Sequence, residues 1–549
     1  MKKCVLLSLI GLMGWSCHYA QELSPTEWKI IDSLAHADVR TGSPGLAVGI
    51  VRAGEIVYES YAGYADLEGE RWIDESTRFN VASNGKQFTA LAIQRLIAEG
   101  KLSLMDDVRD YLPQLYPEYS GALTIGQLLN HSAGLRDVYA LWSLQGLTWW
   151  EHTFSNADAL QLLAQQQDFN FAPGTDYQYS NSNYLVLAEV VRVITGQSFA
   201  EFTQGMFEQM GMSATAFEDD HEEIALMAKP YFQWSEWEGY DWLSDLVGDG
   251  SLFTTLPDQL LWEQALQLGS GVGIDEAMLQ QSQRPIASSN IDQYGYGLEF
   301  GEYRGRPYRF HEGITGAWKA STLRFDNPQI TVVVMTNSGA VIPAQLSRQL
   351  ADVLLAVPTD QAKTQTAPME SGEMLPESAI LGTYGGTGFY FRLVKRDGQV
   401  WLERPQRDAV VLEAEAGSVY HEINDPRFKQ QFLLDSLSQM TVTAYHTSHA
   451  PYTLTRVANA SADYSLAEWS GCYANDETNV QLCLESTEDG GLMASMNDRT
   501  HPAEQFVVDE LLVRGYRLQP SRNAQGEVDG FWLANDRLRR VWFGAVEEK

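Results

Sequence analysis

The sequence predicts an α+β fold: an antiparallel sheet joined to a helical lobe over residues 22–357, then two small antiparallel β-barrels over 379–460 and 465–549. Three observations carry this prediction. Strand patterns stand near both ends of the first block with helical spacing between them. A polar, Pro-containing stretch without periodicity, PTDQAKTQTAPMESGEMLPES, closes that block over 358–378 and reads as a linker. Beyond it the chain is strand, turn, strand to its end, and the opening of that pattern occurs twice.

The first block starts with LAVGIVRAGEIVYESYAGYAD, which alternates as a hairpin with a Gly-containing turn. LTIGQLLNHSAGL has apolar residues at helical spacing, and ITVVVMTNS is a β-branched run of core-strand type. In the last third, ILGTYGGTGFYFRLVKRDGQVWLE and WSGCYANDETNVQLCLESTEDGGLMAS are two versions of one unit, with Gly382-Thr383-Tyr384 answering Gly471-Cys472-Tyr473. VANASADYSLAE is the join between the copies. Each copy is of a length that closes into a small barrel.

With 549 residues, 44% of them hydrophobic, the chain is long enough for several domains with cores of their own. Its 38 basic and 72 acidic residues leave a formal net charge of −34, which disfavours nucleic acid and anionic membranes as partners. Residues 1–20, MKKCVLLSLIGLMGWSCHYA, have a basic start, a short apolar run and a small residue at Ala20, the pattern of a cleaved secretory signal. The expected location is therefore periplasmic or extracellular, with no transmembrane segment after signal removal. Cys17 offers a lipid-anchor alternative that Trp15 fits poorly. Cys472 and Cys483 remain after cleavage, and an oxidising compartment allows them to staple a hairpin; two buried free thiols are the alternative. No metal-ligand spacing is present, and neither metal nor organic cofactor is expected.

Three short elements point to chemistry. In FNVASNGKQFTALAIQRLIAEG, Ser83 stands three residues before Lys86, at the start of a helix too apolar to be exposed and stopped at Gly100. That spacing puts hydroxyl and ammonium on one face, and burial at the positive end of a helix lowers a lysine pKa. In PGTDYQYSNSNY, a Pro173-Gly174 turn precedes Tyr179-Ser180-Asn181. A phenol whose pKa is depressed by a nearby lysine is a proton shuttle, and an amide there can hold a substrate amide and orient Lys86. In FHEGITGAWKASTLRFD, His311 and Gly313 face one side of a strand and Glu312 the other. Gly313 leaves room for a ligand backbone, and the Ile314 N–H can pair with that of Ser83 as an oxyanion hole. Each element alone is uninformative, since short strings recur by chance.

Taken in order, Ser83-x-x-Lys86, Tyr179-Ser180-Asn181 and His311-x-Gly313 resemble the serine β-lactamase and penicillin-binding-protein superfamily, on its class C side. LTIGQLLNHSAGL resembles the family's LT-x-x-x-LL-x-H-x-S-G-L segment, and GDGSLFTTLPDQLLW its G-x-GG-L-x-S-T-x-x-D-L stretch. HEGITGAW resembles the K-T-G-A-T-G-G-F strand, with His311 in place of lysine and Ile314 in place of alanine. The resemblance implies a β-lactamase/transpeptidase-like catalytic domain. In it Ser83 forms an acyl-enzyme, Lys86 is the base, Tyr179 its proton partner, and Asn181, His311, Gly313 and Ile314 bind substrate. His311 is mostly neutral at pH 7 and captures a carboxylate weakly. This argues against an efficient β-lactamase, and His-x-Gly with two barrels resembles the D-aminopeptidases. An esterase of the same fold, a weak β-lactamase or D,D-carboxypeptidase, and a non-catalytic protein that binds cell-wall fragments stay open. The aromatic, acidic stretch YFQWSEWEGYDW, 231–242, either lines the cleft or packs a surface insertion or the barrels.

Overall fold

The computed structural model describes residues 22–546 apart from 272, 288, 290, 357–373, 387–389, 405–407, 436, 446–451, 458–465 and 489. The expected signal with Cys17, most of the linker and most of the inter-barrel join lie outside the described residues.

The N-terminal block is built on one seven-stranded antiparallel sheet. From one edge its strands are Tyr294–Gly295, Leu298–Tyr303, Arg306–Thr315, Trp318–Asp326, Gln329–Thr336, Leu46–Arg52 and Glu55–Ala62. The hairpin near the N-terminus therefore closes onto the last strand, with Leu46 opposite Thr336 and Arg52 opposite Ile330. LAVGIVR is apolar on both faces because both faces are covered. Leu46, Val48, Ile50, Val332 and Val334 pack under the terminal helices Pro25–His36 and Pro343–Leu354, while Ala47, Val51, Val333 and Met335 join the core of the helical lobe. The split follows the two-residue period of a strand.

The helix Lys86–Ala98 is the buried centre of that lobe, covered on almost every side, and Gly100 at φ +70° ends it as expected. LTIGQLLNHSAGL forms a shorter helix than its pattern predicts, Ile125–Leu129, started by a Thr124–Gln127 capping box. His131, at φ +59°, turns the chain into the left-handed region and breaks the continuation. Between lobe and sheet lies a buried ion pair. Arg324 donates to both oxygens of Glu263 at 2.7 and 2.6 Å and, at 2.7 Å, to Gln87 on the central helix. Trp262 Nε1 also donates to Gln87, at 2.9 Å, so strand, Leu256–Leu268 helix and central helix meet at one amide.

The rest of the chain is two closed eight-stranded barrels, from Gly382 to Val457 and from Gly471 to Ala545. Their shared opening has a shared role: Tyr384 donates to the Ile380 carbonyl at 2.7 Å and Tyr473 to the Trp469 carbonyl at 3.2 Å, each four residues back. Cys472 and Cys483, directly opposite on adjacent strands, are joined as a disulfide.

The second barrel docks on the helical lobe. Buried Arg136 pairs with Glu477 and donates to the Arg540 carbonyl. The Asn170 amide bonds the Arg537 carbonyl and the Arg539 N–H, both at 2.9 Å. Asn497 donates to the Leu144 carbonyl at 2.8 Å. Glu263→Ala, which strands the Arg324 charge, is expected to cost about 3–5 kcal/mol. A denaturation series on the full chain reads this as a lower midpoint for the catalytic block, and an unchanged midpoint contradicts it.

Candidate active site

Ser83 lies in the short 3-10 turn Ala82–Gly85, which runs directly into the helix beginning at Lys86. The turn is tight: Ala82 takes φ +47°, and its N–H is held by Asn80 Oδ1 at 2.8 Å. The Lys86 ammonium is fully buried and has three acceptors: Ser83 Oγ at 3.2 Å, Asn181 Oδ1 at 2.9 Å and the Asp249 carbonyl at 2.6 Å. Burial pulls the Lys86 pKa down to about 8, with Arg537 adding to the fall and Asp249 and Asp137 opposing it. Near neutral pH a usable fraction is therefore free amine.

Asn181 opens the helix Asn181–Thr195 and is oriented by Asp137, whose Oδ2 accepts from its backbone N–H at 2.8 Å and its amide at 3.1 Å. Only the amide oxygen is then left for Lys86. Tyr179 packs at a tilt against His131, with ring centroids 4.3 Å apart, and the Lys86 ammonium lies 4.9 Å from the centre of its ring. Its buried hydroxyl has no close hydrogen-bond partner, although Ser83 is near enough to stabilise its anion. The expected depression of the Tyr179 pKa is not found. Burial raises it well above its usual value despite Ser83 and Arg537, so the resting group is a neutral phenol.

The His311 strand differs from expectation in two ways. His311 is 2% exposed, with Nε2 3.0 Å from the Tyr294 hydroxyl and Nδ1 2.8 Å from the Glu312 carbonyl. Burial first, then Lys86, lowers its pKa to about 3, so the ring is neutral and packs 6.1 Å from Tyr179 rather than lining the cleft. Gly313 does not make room for a ligand. A Cβ there would lie 2.1 Å from the Val81 carbonyl, so the glycine lets the strand close on the Ser83 turn. Ile314 is 65% exposed at the cleft mouth, clear of the core. Pairing with the preceding strand ends at Phe310, so among the described residues positions 311–315 have one edge without a strand partner.

Beside Ser83 is a cavity of about 210 Å³. Tyr139, Trp149, Phe154, Trp242 and Leu246 wall it, and Ser83, Asn181 and Asp249 are among its polar residues. The 231–242 stretch thus reaches the cleft: Trp242 lines it, and the Tyr240 hydroxyl accepts from the Ala317 N–H at 2.8 Å. Sequence reasoning missed Asp249 and Tyr139. An aspartate between two glycines within GDGSLF was the available signal for the first, and nothing local marks the second. Arg537 was also missed. It reaches in from the last hairpin of the second barrel, donates to the Tyr179 carbonyl at 3.1 Å and sits 4.7 Å from the Tyr179 ring. Among the described residues no cluster of three His, Cys, Asp or Glu side chains could hold a metal, and no helix is long and apolar enough to cross a membrane.

Residues 30–356, which hold the sheet, the lobe and this site, match the family model described as Beta-lactamase. The chain belongs to that family. It is similar to a D-aminopeptidase of Brucella canis, 28% identical over 356 residues, which are 62% of this chain and 65% of that protein. A D-aminopeptidase of Gluconobacter oxydans is 27% identical over 393 residues, 69% and 71% of the two chains. The match thus spans about 65% of the length of the Brucella relatives. Among solved structures, the octameric penicillin-binding protein homologue from Pyrococcus abyssi superposes with TM-score 0.56 at 19% identity, over 78% of this chain and 99% of that one. The D-amino acid amidase from Ochrobactrum anthropi SV3 superposes with TM-score 0.51 at 20% identity, over 62% of this chain and all of that one. These two likenesses concern the fold alone.

Within this Beta-lactamase-family site the buried Lys86 ammonium lies against the Ser83 hydroxyl, so the reactivity of that hydroxyl is expected to follow the loss of the lysine proton. Covalent labelling of Ser83 by a fluorophosphonate, read by intact mass, is expected to accelerate as pH rises through about 8. Because Arg537 lowers the Lys86 pKa, Arg537→Met is expected to move that rise to higher pH; a curve that does not move contradicts the electrostatic role. Gly313→Ala pushes strand and turn apart and is expected to slow labelling about a hundredfold.

Proposed function

We propose that the protein is an exported serine hydrolase that cleaves small amides or peptides bearing an N-terminal D-residue, through an acyl-enzyme on Ser83. The observation that carries the reading is the buried Lys86 ammonium, 3.2 Å from Ser83 Oγ and tuned to about 8. In the proposed cycle Ser83 Oγ attacks the substrate carbonyl carbon and its proton passes to Lys86 Nζ. The backbone N–H groups of Ser83 and Ile314 receive the oxyanion. As the C–N bond breaks, the leaving amine takes a proton from the neutral Tyr179 phenol, which Lys86 restores. Water then attacks the ester and regenerates Ser83.

The substrate class is supported by the D-aminopeptidase relatives and by the cavity itself. Its lining holds no lysine or arginine and does not include His311, a neutral ring, which disfavours the carboxylate of a β-lactam or a C-terminal peptide. The aromatic walls favour a second reading, an esterase of small acyl groups. Export is supported by the leader pattern and by the disulfide of the second barrel.

Purified protein and its Ser83→Ala form are to be offered a D-alanyl anilide, its L-counterpart, a short-chain ester and a chromogenic cephalosporin. The expected result is Ser83-dependent turnover of the D-anilide over the L-anilide, with little cephalosporin hydrolysis. Ester turnover without amide turnover replaces the peptidase reading by the esterase one. Full activity in Ser83→Ala overturns the mechanism.

A further inference from the structure

Among the residues lining the cavity, Asp249 alone carries a carboxyl, and that side chain has no assigned role. Asp249 lies in the loop before the strand Leu252–Thr254 and is 5% exposed. Its main chain is locked, because its carbonyl holds the Lys86 ammonium at 2.6 Å. Its carboxyl Oδ1 is buried without any hydrogen-bond partner, and a buried carboxylate oxygen left so is costly. Burial raises its pKa, opposed by Lys86 from the central helix and by the Tyr139 hydroxyl, while Asp137, at the N-terminus of the Val138–Leu144 helix, adds to the rise. The other cavity walls are neutral, and Tyr139, Trp149 and Trp242 present aromatic rings there.

We propose that Asp249 is the anchor for a protonated amine on the substrate carbon next to the scissile carbonyl, and that this second cation beside Asp249 favours Lys86 as free base. The inference rests on the reading of Ser83 as nucleophile and extends it to what the cavity selects. Three features fit an ammonium. It supplies donors for the orphaned oxygen, its charge offsets the one anion in the lining, and aromatic rings are favourable neighbours for cations. An α-amine is also one carbon from the reacting carbonyl, so it has to lie in the same small cavity as Ser83. The linkage follows from electrostatics. Asp249 stabilises the proton on Lys86; a second cation beside Asp249 weakens that stabilisation and repels the Lys86 charge. At a given pH, substrates carrying an amine would then meet a larger fraction of Lys86 as free base, which couples recognition to catalysis.

The test compares two esters, D-alanine p-nitrobenzyl ester and p-nitrobenzyl propionate, which differ only by an amine at that position. In the wild type the acid limb of kcat, which reports the bound complex, is expected at lower pH for the amine ester than for the propionate. In Asp249→Asn the preference in kcat/KM for the amine ester is expected to fall about a hundredfold. The acid limb for the propionate is expected to move to lower pH, because the anion that holds the proton on Lys86 is gone. Equal limbs for the two esters in the wild type overturn the proposal without recourse to a variant. An equal loss on both esters in Asp249→Asn, with the preference kept, makes Asp249 structural and also overturns it. Undiminished hydrolysis by Ser83→Ala is a separate outcome and removes the nucleophile reading itself.

Discussion

A lysine ammonium sealed from water must be held by fixed acceptors or give up its proton, and much of this molecule is arranged around that constraint at Lys86. Its acceptors come from three separate parts of the chain: the turn before its own helix, the first residue of a second helix, and the carbonyl of a loop. Each is itself held. Asp137 turns the Asn181 amide so that only oxygen faces the lysine, and Gly313 lets the sheet edge close on the Ser83 turn. The balance reached, a pKa of about 8, leaves the ammonium charged enough to be structured and weak enough to exist in part as free amine near neutral pH.

Rigidity behind the site comes from the sheet. Glu263, Arg324, Gln87 and Trp262 tie the central helix to a middle strand and to the helix between them, with every charge buried and paired. Such a network contributes little net stability compared with an apolar substitute, but it specifies one relative position of its parts. The second barrel adds a further constraint from outside. Its last hairpin lies along residues 176–179 and places Arg537 against Tyr179. The barrel is thereby part of the electrostatic environment of the site rather than an appended module.

How much of this was legible in the sequence depends on the distance over which each interaction acts. Ser83 and Lys86 are one helical turn apart, so their meeting followed from local spacing. The barrel repeat was visible because Gly-x-Tyr recurs with the same strand pattern, and its tyrosine makes the same bond in both copies. The direction of the Tyr179 shift was misjudged because proximity to a cation is a local inference, whereas the burial that outweighs it is set by the whole fold. Gly313 was assigned to a ligand because nothing in the strand reveals that the Val81 carbonyl fills the space. Arg537 acts on a residue 358 positions earlier, through barrel docking that leaves no periodicity to read.

The chemistry proposed for this site depends on the protonation of one side chain, and that can be observed directly. With lysine labelled at 13Cε and 15Nζ, the Lys86 resonance, assigned by its loss in Lys86→Arg, is followed through a pH titration of the full chain. A midpoint near 8 is the predicted result. A Lys86 that stays charged to the ordinary lysine range, about 10.4, would contradict the account, because Ser83 would then have no base at working pH.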